Sequence, residues 1–354
     1  ASRRCPAPRR RPTRPSPPLG GTGSRYPAMK AIGTHSGTFQ ADEALGVFLL
    51  RQLKRWSAVP LVRTRDLEKL KPLEIVIDVG GEYEHDRLRY DHHQRGFDET
   101  FGGASGRWKT KLSACGLVYK HYGREVLAAL HPQLGASTDK LEWVFERVYI
   151  DFIQGLDAID NGIEVCDGPK RWKDGSGLSA RVARLNERWN EPEGGPTEDE
   201  RFERASALCG DDFCSFVASV VESELPAREY VEDALLARTS VDPSGKLLVF
   251  QSGGMPWKTH LYELEAKHGI EGQVAFVLYT DSAGMWRVQA VTAKGTDFTN
   301  RVSLPEQWRG VREQSLVDVS GIPGSRFCHA GGFICGNDAY EGALAMARAA
   351  LAPV

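Results

Sequence analysis

The sequence predicts an α/β protein with two domains. Three short β-rich segments, residues 31–34, 59–64 and 74–79, are separated by a helical pattern through residues 42–56. Strands that alternate with helices in this way form a parallel sheet, whose functional groups lie at the carboxyl ends of the strands. A second α/β region begins near residue 227. With 354 residues, the chain is long enough for two hydrophobic cores.

The first domain is predicted to continue with two further helices. Residues 112–122 and 140–159 both carry helical periodicity, and the second of these segments is strongly amphipathic. Residues 191–196 are rich in glycine and proline, which indicates a loop, and the acidic residues 197–200 are typical of a helix start. We therefore place the first domain at residues 31–225.

The second domain, residues 226–354, is predicted to be a smaller α/β unit. Its strand patterns cover residues 246–251, 273–279 and 285–291, and its helical patterns cover residues 260–267 and 341–351. Residues 281–284, Asp-Ser-Ala-Gly, lie between two of the strands and are typical of a hairpin turn.

Residues 1–30 are predicted to be a basic tail. They hold eight Lys or Arg and no acid, so the 45 basic residues of the whole chain fall to 37 outside the tail, against 47 acidic ones. The tail resembles a mitochondrial transit peptide in its charge, although its prolines oppose an amphipathic helix. A disordered basic extension, or translated sequence ahead of a start at Met29, is the alternative.

The rest of the chain is formally −10, which argues against a surface that coats nucleic acid broadly. Any nucleic acid should instead enter a local groove.

Hydrophobic residues make up 41% and charged residues 26% of the chain, as in ordinary globular proteins. No apolar run approaches the ~20 residues that span a bilayer, so no membrane association is expected. The seven cysteines form no CxxC pair, and a structural zinc site is not predicted.

Histidine and acidic side chains follow the predicted strands of the first domain. His35 lies at the end of the first strand, and Asp42 opens the helix that follows. Asp78 follows a buried strand, and Asp91-His92-His93 comes soon afterwards. Imidazole and carboxylate groups bind divalent cations, and bridging carboxylates can hold two ions about 3.5–4 Å apart. Each residue alone could be a satisfied polar group at a strand end, but the ordered set predicts a metal site.

These motifs resemble the DHH phosphoesterase superfamily, and within it the MYG (melanocyte proliferating gene) exonucleases. The resemblance rests on residues 35–45, 78–83 and 90–95, and it continues through residues 178–186, 241–245, 320–324 and 329–334. It implies a parallel-sheet, DHH-type phosphoesterase domain followed by a DHH-associated substrate-binding domain. It also implies a metal-dependent 3′→5′ RNA exonuclease of the mitochondrial matrix and nucleus, which acts on single-stranded RNA and yields 5′-mononucleotides.

We predict His35, Asp42, Asp78 and His92 as the first metal ligands, with Asp78 as the bridging carboxylate. His92 matches the superfamily ligand, whereas Asp91 and His93 are expected to orient ligands or contact phosphate. The resemblance also implies a ligand in the box that contains Asp157 and Asp160, and the sequence does not choose between these two. A mixed His/Asp set suits two Mn²⁺ ions, with Mg²⁺ as the alternative.

Position 40 departs from the family pattern. MYG-type sequences usually have His before the Asp-Glu pair, whereas this chain has Gln40. An amide oxygen can bind a hard cation but is a poorer donor than imidazole for Mn²⁺. The sequence therefore predicts that one of the two metal sites is weakened, unless Gln40 merely lines the pocket.

Two groups of residues are predicted to bind substrate. Arg181, Arg184 and Arg188 have the spacing of one helical face, beside Trp189, and could follow phosphates or simply be a solvated face. His329, Gly331 and Gly332 form a Gly-rich element that phosphate could approach closely, although a Gly-Gly pair can also be an ordinary turn. The alternative functions are a small-molecule phosphoesterase or pyrophosphatase, and a nucleic-acid-binding module with a weakened metal site.

Overall fold

The computed structural model describes residues 29–103, 106–251 and 253–352. The predicted tail lies outside the described residues, apart from Met29 and Lys30, which open the first strand. No helix within the described residues combines the length and apolar character needed to cross a bilayer.

The elements of the first domain run from β1 to α7. Its strands are β1 (Met29–Thr34), β2 (Leu61–Arg63), β3 (Leu73–Ile77), β4 (Tyr83–Glu84) and β5 (Arg89–Tyr90). Its helices are α1 (Ala41–Arg51), α2 (Leu67–Leu70), α3 (Ala114–Leu130), α4 (Thr138–Val148), α5 (Gln154–Asp160), α6 (Leu178–Ala183) and α7 (Glu198–Ser219).

The five strands of the first domain form one sheet in the order β2-β1-β3-β5-β4. Strands β2, β1, β3 and β5 run parallel to one another, and β4 pairs antiparallel with β5 at the edge of the sheet. The predicted parallel α/β sheet is therefore confirmed. Strands β4 and β5 were not predicted, because two residues are too few to show a period. Helices α1 and α3 lie between the sheet and the other helices, α7 packs against α1, and the three helices bury the main hydrophobic core.

The predicted helix at 140–159 is confirmed, as one continuous helical run from α4 through α5. A π-helical segment, Tyr149–Ile153, joins the two helices. Such segments occur frequently at functional sites. Here the segment sets the direction of α5, which carries Asp157 and Asp160.

The second domain holds a separate sheet. Its strands are β6 (Leu247–Val249), β7 (Phe276–Thr280), β8 (Trp286–Ala290), β9 (Ser325–Cys328) and β10 (Ile334–Asn337). Its helices are α8 (Leu225–Val241), α9 (Lys258–Lys267), α10 (Glu313–Ser320) and α11 (Tyr340–Leu351). The strand order is β6-β7-β8-β10-β9, and only the β6–β7 pair is parallel.

The predicted strands and helices of this second region are confirmed, including the hairpin that joins β7 to β8. Strands β9 and β10 and helices α8 and α10 were not predicted. Helices α7 and α8 form a continuous helical run through a π-helical segment, Val220–Glu224. The predicted boundary between residues 225 and 226 thus falls within this run. The domains also meet where Trp143 of α4 stacks on His260 of α9, with ring centroids 5.1 Å apart.

Candidate metal centre

The candidate site lies where three neighbouring parallel strands end. His35 follows β1, Asp78 follows β3, and Asp91-His92-His93 follows β5. Because parallel strands present their carboxyl ends at the same edge of a sheet, these side chains converge. His35, Asp78, Asp91 and His92 are all buried.

Asp78 lies between two imidazoles. Its Oδ2 atom is 3.2 Å from Nε2 of His35, and its Oδ1 atom is 3.2 Å from Nε2 of His92. One carboxylate oxygen therefore faces each histidine, as in a carboxylate that bridges two ions. The backbone of Asp78 has a φ of 58°, in the left-handed region that Asp enters more readily than most residues. Such strain is often found at functional sites.

Further carboxylates complete two clusters around this bridge. Oε1 of Glu43 lies 3.1 Å from Nε2 of His35, and Oδ2 of Asp160 lies 3.1 Å from Nε2 of His92. Asp42 joins His92 and Asp160, so that each cluster offers ligand atoms within 4.8 Å of one another. The structure thus brings together all four first-choice ligands.

Several buried polar atoms of these clusters form no hydrogen bond within the described part of the chain. They are Asp42 Oδ1, Glu43 Oε2 and Nδ1 of His92, whereas Asp78 Oδ1, Asp160 Oδ2 and Nε2 of His92 meet only one another. Buried polar atoms without a partner are rare and destabilising. Divalent cations would provide these atoms with partners, so the residues fit a metal centre.

The charges of the clusters depend on one another. Burial lowers the pKa of His35, but its contacts with Asp78 and Glu43 outweigh burial and raise the pKa to about 10. Burial likewise opposes the effect of Asp160 and Asp78 on His92, whose pKa also rises to about 10. Burial raises and the two imidazoles lower the pKa of Asp78, and the imidazoles prevail. Burial and the neighbouring carboxylates raise the pKa of Asp42.

Asp91 fixes the turn that carries the two histidines. Its carboxylate accepts hydrogen bonds from the backbone N–H groups of Gly81 (2.6 Å), His92 (2.7 Å) and His93 (3.1 Å). It also lies 2.8 Å from Nδ1 of His93. Burial raises the pKa of Asp91, but these hydrogen bonds outweigh burial and lower the pKa to about 2. His93 itself is 60% exposed, and its Nδ1 atom lies 3.7 Å from Oδ1 of Asp78.

The structure distinguishes Asp157 from Asp160, the two candidate ligands between which the sequence did not choose. Oδ1 of Asp157 accepts hydrogen bonds from both the backbone N–H and the hydroxyl of Ser113, each at 2.9 Å. Asp157 lies so close to α3 that a Cβ atom on Gly116 would be 2.2 Å from Oδ1. Burial raises the pKa of Asp157 to about 7 although Ser113 opposes it. Asp160, by contrast, contacts His92.

Gln40 is an exposed residue at the start of α1. Its backbone N–H donates to Oε1 of Glu43 at 2.8 Å. Its side chain lines a small cavity together with Asp42, Asp160 and Ser179. Gln40 therefore lies at the edge of the His92 cluster, and whether it binds metal stays a prediction.

The predicted helical face of three arginines is wrong. Helix α6 ends at Ala183, so Arg188 lies beyond the helix. The chain leaves the helix because the side-chain amide of Asn186 pairs with the backbone of Phe39, accepting from its N–H at 3.0 Å and donating to its carbonyl at 2.9 Å. Arg181 instead forms an ion pair with Asp212.

The Gly-rich element lies in the second domain, in the turn between β9 and β10. Nδ1 of His329 accepts a hydrogen bond from the backbone N–H of Gly331 at 3.0 Å. Gly332 has a φ of 64°, and a Cβ atom there would be 2.5 Å from Nε of Arg309. Both glycines are thus explained by the turn, and phosphate binding by this element stays a prediction.

Two residues of the centre were missed by the sequence interpretation. Glu43 occupies the third position of α1, where a carboxylate is expected to cap the helix, and this role concealed its contact with His35. Ser113 precedes α3 and is likewise an ordinary helix start. Its contact with Asp157 joins residues 44 positions apart, which no local pattern reveals.

The chain was compared with known proteins. Residues 31–351 match the family MYG1_exonuc, described as an uncharacterised protein family (UPF0160). A MYG1 exonuclease of Bos taurus is 48% identical over 334 residues, which cover 93% of this chain and 86% of that protein. A MYG1 exonuclease of Homo sapiens is 47% identical over 341 residues, covering 95% and 89%. A MYG1 protein of Saccharomyces cerevisiae is 41% identical over 330 residues, covering 91% and 96%.

Among solved structures, RecJ from Thermus thermophilus in complex with Mn²⁺ covers 92% of this chain and 52% of its own, at 17% identity and a TM-score of 0.23.

Proposed function

Because the chain belongs to the MYG1_exonuc family, we propose that it is a metal-dependent exonuclease that removes 5′-mononucleotides from the 3′ end of single-stranded RNA. The observation that carries the proposal is the position of Asp78, with one carboxylate oxygen facing each of two buried imidazoles. Curated relatives named exonucleases support the nuclease activity. The 3′→5′ direction and the RNA substrate rest on the family resemblance.

In this proposal, the two clusters hold two ions. His35, Glu43 and Asp78 would hold one ion, and Asp42, His92 and Asp160 would hold the other, with Asp78 shared between them. When bound, two such metal ions would activate water and neutralise charge on the scissile phosphate. Mixed imidazole and carboxylate ligands favour Mn²⁺, with Mg²⁺ as the alternative.

His93 is proposed to contact the phosphate. The hydrogen bond to Asp91 raises the pKa of His93 although burial opposes it, so the cationic form of the ring is favoured. The ring is exposed and close to Asp78, and Asp91 holds it in place. A cationic N–H donor in this position can bind a non-bridging phosphate oxygen and orient the scissile bond.

The mitochondrial matrix and the nucleus are the proposed locations of the protein, supported by the family resemblance and the Arg-rich residues 1–30.

The test of the proposed function uses single-stranded RNA with a 5′ label, incubated with and without Mn²⁺. We expect a ladder of products shortened from the 3′ end, release of 5′-mononucleotides, and loss of activity in EDTA. Immediate release of the labelled terminal nucleotide would mean the opposite direction. Cleavage of pyrophosphate or free nucleotides alone would favour a small-molecule phosphoesterase, and RNA binding without turnover in any metal would favour a binding module.

Binding of Mn²⁺ to the metal-free protein is expected to release protons. The pKa values of His35 and His92, about 10 each, mean that both imidazoles are protonated at pH 7.5. A metal ligand must be a neutral imidazole, so each ring must lose its proton when the ion binds. The apparent affinity for Mn²⁺ should therefore rise between pH 6.5 and 8. Calorimetry in buffers of different ionisation enthalpy should show about two protons released by the imidazoles at pH 7.5, and Asp42, whose pKa is also raised, adds to this number.

The control for this measurement is His92→Asn, in which the proton release should fall by about one. A binding enthalpy that does not depend on the buffer would contradict the protonated state of both histidines in the metal-free protein.

Replacing Gln40 with histidine is expected to lower the Mn²⁺ concentration for half-maximal activity by ~10-fold, which corresponds to ~1.4 kcal/mol. The side chain lines the cavity beside Asp42 and Asp160, and imidazole is the better donor for Mn²⁺. Titration of activity with Mn²⁺ measures the effect. Thr38→His, which adds an imidazole at another exposed position of the same loop, is the matched control. Superimposable curves for Gln40→His and the parent would show that position 40 is not a ligand.

A further inference from the structure

An arginine pocket lies beside the candidate metal centre. It encloses about 490 Å³, and its lining combines residues from the segment after α6 with residues from the first turns of α7. The charged residues of this lining are Arg184, Arg188, Arg201, Arg204, Glu187 and Glu191. Two of these arginines, Arg201 and Arg204, lie on a helix that the sequence interpretation did not connect with substrate.

The pocket carries more positive charge than its own carboxylates neutralise. Glu191 lies 2.8 Å from Arg201 and 3.7 Å from Arg188, so one carboxylate serves two guanidinium groups. Arg184 donates to the carbonyl of Gly175 at 2.7 Å, and no carboxylate of the described residues lies within ion-pair distance of it. Arg204 is exposed and forms no ion pair within 4 Å in the described part of the chain. The pocket is therefore locally basic on a body that is formally −10 outside its tail.

Helix α6 links this pocket to the metal centre. Ser179, near the start of α6, lines the small cavity that also contains Asp42 and Asp160, and Arg184 follows directly after the end of the helix. Five residues of helix rise span about 8 Å. The two hydrogen bonds between Asn186 and Phe39 fix this distance, because Phe39 precedes the helix that carries Asp42. A strand that leaves the metal centre along α6 would thus reach the arginines.

An exposed aromatic ring accompanies the arginines. Trp189 directly follows Arg188 in the chain, and it is 97% exposed. Grooves that bind single-stranded nucleic acid combine cationic groups, which contact phosphates, with aromatic rings on which bases stack. The combination of a basic pocket and a neighbouring exposed indole fits a nucleic-acid strand better than a free phosphate.

We propose that the arginine pocket binds the phosphodiester backbone of the substrate strand on the 5′ side of the nucleotide being removed, with Arg184 and Arg204 as the main phosphate contacts. This inference rests on the proposed function and adds a preference for length. A hexaribonucleotide reaches both the metal centre and the pocket, whereas a dinucleotide ends close to the metal centre. The pocket therefore lowers KM for the longer substrate. It does not change kcat, because the chemical step takes place at the metal centre.

The test compares a hexaribonucleotide with a dinucleotide in the parent protein and in the Arg184→Ala/Arg204→Ala variant. We expect KM for the hexamer to rise about 10-fold in the variant with kcat within about twofold, so that the preference for the hexamer shrinks. Lys54→Ala, which removes one exposed cation beyond the end of α1, is the matched control. Equal changes of KM for both substrates, or a hexamer KM that matches the control, would overturn the proposal.

Binding in EDTA separates the pocket from the chemistry. The anisotropy of a labelled hexamer, measured over a series of salt concentrations, gives the number of phosphate contacts. Each contact with a single strand contributes ~0.7 to the slope of log affinity against log salt, so the double variant should lose ~1.4. If the parent degrades RNA but the slope is unchanged in the variant, the pocket is refuted while the proposed function stands. If the parent degrades no RNA in Mn²⁺ or Mg²⁺, the proposed function fails first.

Discussion

Asp78→Asn is expected to lower kcat by about a thousandfold or more, while the fold is retained. The carboxylate faces His35 through one oxygen and His92 through the other, so its loss disturbs both clusters. A metal centre contributes several kcal/mol to transition-state stabilisation, and about 4 kcal/mol corresponds to a thousandfold in rate. Asparagine is the right substitution, because it has the shape of aspartate and also tolerates the left-handed backbone at this position.

The measurement is turnover of labelled RNA across a titration with Mn²⁺, together with circular dichroism of each variant. Asp86→Asn, the same substitution at an exposed position of the same domain, is the matched control and should keep the parent rate. A rate for Asp78→Asn close to that of the parent, at any Mn²⁺ concentration, would show that Asp78 does not bridge the ions.

The same variant should be less stable than the parent in EDTA at pH 7. The pKa of Asp78 is lowered in the folded protein by contacts with His35 and His92, although burial opposes them. A group with a lowered folded pKa contributes stability above its unfolded value, near pH 4, and loses it as the pH falls further. The difference in thermal midpoint between the two proteins should therefore be present at pH 7 and shrink towards acidic pH.

Asp160→Asn is expected to lower activity by at least about 100-fold, whereas Asp157→Asn should remain within about threefold of the parent. The two positions lie on the same helix, three residues apart, and differ in their surroundings. Asp160 contacts His92, so removal of its charge should weaken the cluster that includes Asp42. Asp157 gives one oxygen to Ser113, and asparagine retains an oxygen acceptor for both of these hydrogen bonds.

Stability provides an independent readout for Asp157. Burial raises its pKa to about 7, although Ser113 opposes the shift, so the folded protein holds a proton that the unfolded chain releases near pH 4. The contribution of Asp157 to the stability of the metal-free parent should therefore be lost between pH 4 and pH 7, and this part of the pH dependence should vanish in Asp157→Asn. Loss of activity in Asp157→Asn with a parent-like Asp160→Asn would reverse the assignment.

The sequence by itself determined the parallel sheet of the first domain and the position of most candidate ligands. The apolar segments at residues 31–34 and 74–79 contain most of strands β1 and β3, and His35 and Asp78 directly follow those two strands. Because parallel strands end at a common edge, a polar residue after each strand can be assigned to a shared site from the sequence alone. Strand periodicity and this single geometric rule were sufficient for His35 and Asp78, whereas His92 was chosen from the resemblance to the superfamily, because the two-residue strand before it was not predicted.

Only the tertiary structure decided the rest of the centre. Asp157 and Asp160 have the same chemistry in the same helix, and the contacts of Asp157 with Ser113 and of Asp160 with His92 distinguish them. The three arginines keep a helical spacing in the sequence, but the pairing of Asn186 with Phe39, 147 positions away, ends their common face. Such choices depend on contacts between distant residues, whose energies are absent from any local pattern. The arginine pocket beside the metal centre exists for the same reason, since packing of α7 against the segment after α6 brings its two halves together.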